Sequence, residues 1–215
     1  MSLIKLLPEQ QLLEIIHGLQ NNLDDKTTNT LNTIFKELIE ANIHLEVVKL
    51  LLANDKVDPS ADNNRAIRFT SQNGHLEIVK LLLANDKVDP SADNNYAIRL
   101  ASLNGHSEIV KLLLANDKVD PSADNNYAIA WASRNGHLEV VKLLIPRVDM
   151  SKITDTKILD IAKEMTKVEE TIKVEEIIKT ESLEESIRLI LVQMRSHNMY
   201  KIHIKKGEIR YSCKS

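Results

Sequence analysis

The chain has few of the residues that stabilise or punctuate most small folds. Among its 215 residues are one cysteine, five glycines and five prolines, and aromatic residues make up 3%. A single cysteine, Cys213, excludes an internal disulfide, so we expect an intracellular setting and most simply the cytoplasm. Apolar runs such as residues 78–83 are cut by a lysine, and the first residues lack a long apolar stretch, which predicts neither a membrane span nor a secretory signal. The net charge of -3 favours neither nucleic acid binding nor disorder.

The few glycines and prolines follow a period. Three glycines and three prolines each lie 31 residues apart, namely Gly74, Gly105 and Gly136, and Pro59, Pro90 and Pro121. The loop at residues 54–64 recurs without change at 85–95 and at 116–126. Punctuation at a fixed spacing of this length indicates a repeat architecture.

Each repeat has the pattern of two helices joined by turns. Asp93 or Asn94 is expected to cap the first helix with its side chain, and Gly105 is expected to end that helix in a left-handed conformation. The second helix is predicted from about residue 106 to 115. Its buried side would carry Ile109, Val110, Leu112 and Leu113. One such unit cannot bury its apolar face alone, but stacked units can.

Residues 127–144 read YAIAWASRNGHLEVVKLL, which resembles the core of an ankyrin repeat. The resemblance recurs three times, although the period is 31 rather than the usual 33 and the family's Thr-Pro-Leu-His opening is absent. Short asparagine-rich repeats of this kind also resemble those encoded by amoebae and by the large DNA viruses that infect them. The resemblance implies a mainly α fold, an ankyrin-type α-solenoid of stacked helix pairs. It also implies a non-enzymatic protein that binds another protein, of unknown identity, through the concave face of its first helices.

The flanking residues extend the array in a weaker form. We predict about five helix pairs, followed by a helix over 182–195 and a β-hairpin over 200–212 that cap the stack. The predicted segments are an N-terminal capping helix (1–27), a degenerate first repeat (28–52), three regular repeats (53–145), a degenerate last repeat (146–180) and the C-terminal helix and hairpin (181–215).

Two observations invite a chemical interpretation, and each has a simpler structural one. His44, His75, His106 and His137 are repeat equivalents, and stacked helices lie roughly 8–10 Å apart, too far for a shared metal ion. We expect them to bond across the turns between repeats. Ser71 stands one helical turn from His75, but no orienting acid or oxyanion hole accompanies the pair. We therefore predict no catalytic residue, no metal and no cofactor.

The two ends of the chain suggest two further functions. Residues 7–19 (LPEQQLLEIIHGL) resemble the opening of an F-box. This resemblance implies binding to a Skp-type adaptor of a cullin ubiquitin ligase; the simpler interpretation is a capping helix. The adaptor contacts would be Leu7, Pro8, Leu12, Ile15, Ile16 and Leu19. Basic residues at 201, 205, 206, 210 and 214 suggest a small anion or nucleic-acid patch as a second alternative, but protection of exposed strand edges explains them more simply, and we do not expect a nucleic acid partner.

Variation between the repeats is concentrated on one side of the first helices. The varying positions follow the spacing i, i+3, i+4 and i+7, which is one stripe of a helix. We call this stripe the first-helix strip, and it consists of Arg65, Arg68, Phe69 and Gln72, then Tyr96, Arg99, Leu100 and Leu103, then Tyr127, Ala130, Trp131 and Arg134. Tyrosine, tryptophan and arginine dominate binding hot spots, so we predict partner binding here, anchored by Tyr96, Arg99, Tyr127 and Trp131.

Overall fold

The computed structural model describes residues 3–20, 24–180, 200–205 and 208–213. The helices and strands are α1 (Glu9–Gln20), α2 (Asp25–Ala41), α3 (Leu45–Leu52), α4 (Ala61–Asn73), α5 (Leu76–Leu83), α6 (Ala92–Leu103), α7 (Ser107–Leu114), α8 (Ala123–Arg134), α9 (Leu138–Leu144), α10 (Thr156–Thr180), β1 (Tyr200–Lys205) and β2 (Glu208–Cys213). Short 3-10 turns lie at Leu3–Leu6, Ile145–Arg147 and Met150–Lys152. The chain divides into two compact units, Met1–Leu159 and Asp160–Ser215.

Helix pairs stack in the first unit. The first helices α4, α6 and α8 each contact the next one, and the second helices α5, α7 and α9 do the same. Small side chains let the first helices approach, because Ala97, Ala101 and Ala132 are fully buried between them. The second helices supply larger core side chains, among them Val110 and Leu113. The prediction of a mainly α solenoid is confirmed.

The first helices begin differently from the prediction. Asp93, Asn94 and Asn95 form a left-handed turn with φ of 57°, 55° and 59°, and the other two regular repeats have the same turn. Asparagine and aspartate tolerate this conformation better than other residues with a Cβ. Neither Asp93 nor Asn94 provides the expected side-chain cap. Instead, the Asn95 Oδ1 accepts a bond of 2.8 Å from the backbone N–H of Asp120 in the next repeat.

Glycine ends each regular first helix, as predicted, with φ of 75–77° at Gly74, Gly105 and Gly136. The same position one repeat later is Lys167. There α10 runs through without interruption for 25 residues. The degenerate last repeat predicted at 146–180 is therefore not a helix pair, because the residue that allows the chain to turn is absent.

The N-terminal helices close one end of the first unit. Asp24 caps α2 by accepting a bond of 2.7 Å from the N–H of Thr27. Helix α1 contacts α2 and α3, and it buries Leu12 and Ile16 there. The predicted degenerate first helix lies within α2.

In the second unit, β1 and β2 pair antiparallel from Tyr200 opposite Cys213 to Lys205 opposite Glu208. The predicted helix over 182–195 lies outside the described residues. The role of this region as a cap of the stack stays a prediction.

Candidate partner-binding strip

The first-helix strip is a row of partly exposed aromatic, aliphatic and arginine side chains. Gln72 and Arg134 are exposed, Leu100 is buried, and the remaining strip residues are half-buried. A half-buried aromatic side chain can still contact a partner, so the row remains available as a surface.

Two arginines of the strip join one repeat to the next. Arg68 donates to the carboxylate of Asp93 at 2.5 Å, and Arg99 donates in the same way to Asp124. These side chains are only 20% and 12% exposed. The predicted anchor Arg99 therefore also holds the stack, so its removal is expected to affect stability as well as binding.

Aromatic rings lie beside these arginines. The Arg99 guanidinium carbon is 5.2 Å from the ring centre of Tyr96 and 4.6 Å from that of Tyr127. The Arg68 guanidinium carbon also lies 5.7 Å from the ring centre of Tyr96. Such cation–ring contacts are favourable when the cation is partly removed from water. Charges and rings thus alternate along the strip through the first two repeats.

The third repeat changes this alternation. Ala130 stands where the earlier repeats have Arg68 and Arg99. Tyr127 and Trp131 lie 5.4 Å apart between ring centres, tilted by 37°. Arg134 lies 5.2 Å from the Trp131 ring centre. Aromatic surface is therefore concentrated at this end of the strip.

At the other end, α2 and α4 enclose a cavity of about 540 Å³. Its lining includes Lys36 and Arg65, and Arg65 occupies the position held by tyrosine in the next two repeats. The position 31 residues before Arg68 is Glu37, so neither the ring nor the arginine of the later repeats stands at this junction. Arg65 instead pairs with Glu40 at 2.7 Å.

Three of the four repeated histidines bond between repeats, as predicted, whereas no such bond of the His44 ring occurs within the described residues. The Nε2 atoms of His106 and His137 lie 3.0 Å from the carbonyl oxygens of Gln72 and Leu103. His75 uses Nδ1, at 3.2 Å from the Ile39 carbonyl oxygen. Burial lowers the pKa of His75, and the charge of His106 lowers it further, although the bond to Ile39 opposes both effects. The histidines are thus part of the stacking interface.

The serine–histidine pair has no catalytic geometry. The Oγ atoms of Ser71 and Ser102 are buried, and neither has a hydrogen-bond partner within the described ranges. No group of three or more histidine, cysteine, aspartate or glutamate side chains that could hold a metal occurs in that part of the chain. The same part contains no helix long and apolar enough to span a membrane.

The F-box-like residues divide between core and surface. Leu12 is 1% exposed and Ile16 fully buried, so neither can contact an adaptor while α1 is docked. Ile15 is 42% exposed, Pro8 is exposed, and Leu7 and Leu19 are half-buried. This distribution is that of a capping helix. Of the basic C-terminal residues, 206 and 214 lie outside the described residues.

Comparison with known families agrees with this geometry. Residues 70–157 match the family described as ankyrin repeats (3 copies). Residues 70–157 carry ankyrin repeats. Ankyrin repeats generally mediate protein–protein interactions and are a non-enzymatic module. No curated protein matches the chain.

Sequence reasoning missed the acidic half of the ankyrin stack. Asp93 was expected only as a possible cap, yet Asp93 and its repeat equivalent Asp124 each pair with an arginine 25 residues earlier, Arg68 and Arg99. A signal was available, because both members of the pair recur at the same separation. The asparagines Asn64 and Asn95 show the same separation from Asp89 and Asp120, whose N–H groups they accept at 2.7 and 2.8 Å.

Proposed function

We propose that this ankyrin array binds a partner protein through its first-helix strip, on the concave face that we expect the strip to occupy. The observation that carries the proposal is the contrast between constant and variable positions. The loops at 54–64, 85–95 and 116–126 are identical, whereas the strip differs in every repeat. A surface that varies on a constant scaffold is suited to recognition.

The chemistry of the strip supports the same proposal. Tyr96, Tyr127 and Trp131 are half-buried, so they are held by neighbours and still offer ring surface to a partner. Rigid aromatic side chains bind with little loss of conformational entropy, and they are enriched among residues that dominate binding energy. The cation–ring contacts of Arg99 and Arg134 restrict these rings further.

A pair of photo-crosslinking variants tests the proposal. A benzophenone amino acid replaces Gln72, which is exposed on the strip, or Glu77, which is exposed on the second helix of the same repeat. The full chain is irradiated in an extract of its native cell, and the products are identified by mass spectrometry. We expect one protein to be cross-linked from position 72 and not from position 77. Equal or greater cross-linking from position 77 would place the interface elsewhere.

Alanine variants then locate the binding energy. Three variants are made, Tyr96→Ala, Tyr127→Ala and Trp131→Ala. At least two of them are each expected to weaken binding to the cross-linked protein by about 1 kcal/mol or more. Circular dichroism of each variant checks that the helices are retained. Unchanged affinity in all three variants would contradict the proposal.

The two other functions predicted from sequence have weaker support. Binding to a Skp-type adaptor through Leu12 and Ile16 requires α1 to leave the stack, which would expose two core side chains. Nucleic acid binding through the C-terminal hairpin rests on composition alone. Neither has an observation that favours it over the strip.

A further inference from the structure

The array contains two similar internal sites, and each of them binds the guanidinium group of an arginine of the chain. In the second regular repeat, Arg99 lies between the rings of Tyr96 and Tyr127 and donates to the Asp124 carboxylate. One repeat earlier, Arg68 donates to Asp93 and also to the backbone carbonyl of Asp62. A carboxylate and an aromatic ring, supplied by the following repeat, are the common parts. The protein thus shows how its own strip binds an arginine.

The third repeat keeps an aspartate at the carboxylate position and a tyrosine one turn before the arginine position, but it lacks the arginine, and Ile158 stands where the following repeat would supply a ring. Ala130 takes the arginine position, 31 residues after Arg99, and its small side chain is half-buried in the strip. Tyr127 stands one turn before it on α8, as Tyr96 stands one turn before Arg99. Trp131 is adjacent and adds a second ring, 5.4 Å from Tyr127. We call the surface formed by Ala130 and these two rings the strip notch.

A carboxylate also remains beside the strip notch. Asp155 stands 31 residues after Asp124. Its Oδ2 lies 3.3 Å from the Oγ of Ser133, which is one helical turn from Ala130. Its Oδ1 accepts from the N–H of Lys157 at 2.9 Å. Each carboxylate oxygen can accept a further bond, and within the described ranges Asp155 forms no ion pair with a side chain.

The nearest cations of the chain do not take this position. Arg134, one turn after Ala130 on α8, has its guanidinium carbon 5.2 Å from the Trp131 ring centre. Lys157 contributes its backbone N–H to Asp155, and its side chain is exposed. Within the described residues, neither cation therefore replaces the arginine that pairs with the equivalent carboxylate in the first two repeats.

We propose that the strip notch, bounded by Tyr127, Ala130, Trp131 and Asp155, binds an arginine side chain of the partner protein. The proposal rests on the proposed function and specifies the chemistry that the partner presents there. Arginine fits better than lysine because its planar fork matches a carboxylate and stacks on rings. An incoming arginine would then repeat the contacts that Arg99 makes within the array.

Trp131 provides a direct reporter, since it is the single tryptophan of the chain. The full protein is titrated with a short capped peptide containing one arginine, and separately with the same peptide containing glutamine instead. We expect the arginine peptide to change Trp131 fluorescence with saturation in the millimolar range, as befits a fragment of an interface, and at least about tenfold more tightly than the glutamine peptide. Asp155→Asn is expected to weaken arginine-peptide binding by about tenfold.

Ala130→Arg is the decisive variant, because the new side chain can occupy the strip notch as Arg99 occupies its own site. We expect it to keep the helical content and to lose arginine-peptide binding. Ala115→Arg is the matched control, since it introduces the same side chain at an exposed position after α7 and should bind the peptide as the parent does.

The outcomes separate this inference from the proposed function. Equal responses to the two peptides, or unchanged peptide binding by Ala130→Arg, overturn the strip notch. A cross-link from position 72 alongside either result leaves the strip as the protein-binding surface. Arginine-peptide binding that Ala130→Arg blocks, in the absence of any cross-link from the strip, supports the notch and removes the proposed function.

Discussion

Two glycines with the same backbone conformation are expected to differ in how much an added methyl group costs. Gly105 and Gly136 have φ of 77° and 75°. A Cβ at Gly105 would lie 2.5 Å from Nδ1 and 2.7 Å from Cε1 of His137. A Cβ at Gly136 meets nothing within 4 Å among the described residues. Replacing each by alanine therefore separates backbone strain from the crowding of a histidine.

The magnitudes follow from these distances. Either alanine pays about 1–2 kcal/mol for a left-handed conformation. At Gly105 the His137 ring must also move by about 1 Å to reach ordinary contact, which overpacks the turn at a cost of about 1–3 kcal/mol. That movement strains the bond of 3.0 Å between His137 Nε2 and the Leu103 carbonyl oxygen. We expect Gly136→Ala to lose about 1–2 kcal/mol of unfolding free energy and Gly105→Ala about 2–5 kcal/mol.

Urea unfolding followed by circular dichroism at a helical wavelength measures both losses. A double variant identifies the cause, because removing the ring in Gly105→Ala/His137→Ala should recover most of the additional loss after His137→Ala itself is subtracted. Equal losses for the two glycine variants, or a double variant whose losses simply add, would refute the role assigned to the His137 ring.

Three other perturbations test the packing and the charges. Leu113→Ala should cost about 2–5 kcal/mol of unfolding free energy because the side chain is fully buried. Leu112→Ala should cost less than about 1.5 kcal/mol because that side chain is half-buried. Similar losses for the two variants in urea unfolding would mean that the faces of α7 are misassigned. Arg99→Ala should lower the free energy of unfolding by about 1–3 kcal/mol because it removes the ion pair with Asp124. A double-mutant cycle with Asp124→Ala should give a coupling energy of about 1 kcal/mol, and a coupling energy of zero would argue against this ion pair. The pKa of His75 in the folded protein lies below its unfolded value near 6.5, so its contribution to the free energy of unfolding is fully present above pH 6.5 and falls as pH decreases through the folded pKa. His75→Gln should therefore reduce the pH dependence of the unfolding free energy in that window. An unchanged pH dependence would exclude His75 as its source.

The sequence predicted those features that depend on punctuation. Gly74, Gly105 and Gly136 mark the ends of first helices because a left-handed turn favours glycine, and this preference is readable without a structure. The same rule, applied one repeat later to Lys167, would have predicted the continuous α10 in place of a degenerate last repeat.

Features that depend on contacts between repeats were harder to predict. Asp93 or Asn94 was expected to form a side-chain cap because these residue types commonly serve as caps, yet the side-chain bond of this turn is made by Asn95 to the following loop. Likewise, the strip was identified from its variation, but the sequence did not separate the arginines that hold the stack from the rings that remain partly exposed. That separation depends on where Asp93 and Asp124 lie in the following repeat.

The bonds between an asparagine of one repeat and the loop of the next have a consequence for the length of the array. Asn64 binds the N–H of Asp89, and Asn95 binds that of Asp120, with the same atoms. If residues 84–114 were deleted, Asn64 would meet Asp120 and Arg68 would meet Asp124, each an equivalent of the neighbour it lost. Whole units are therefore exchangeable at the level of the gene, and copy number can change by recombination without creating an unfamiliar junction. Each gain or loss of a unit would also change which aromatic and charged side chains are adjacent along the first-helix strip.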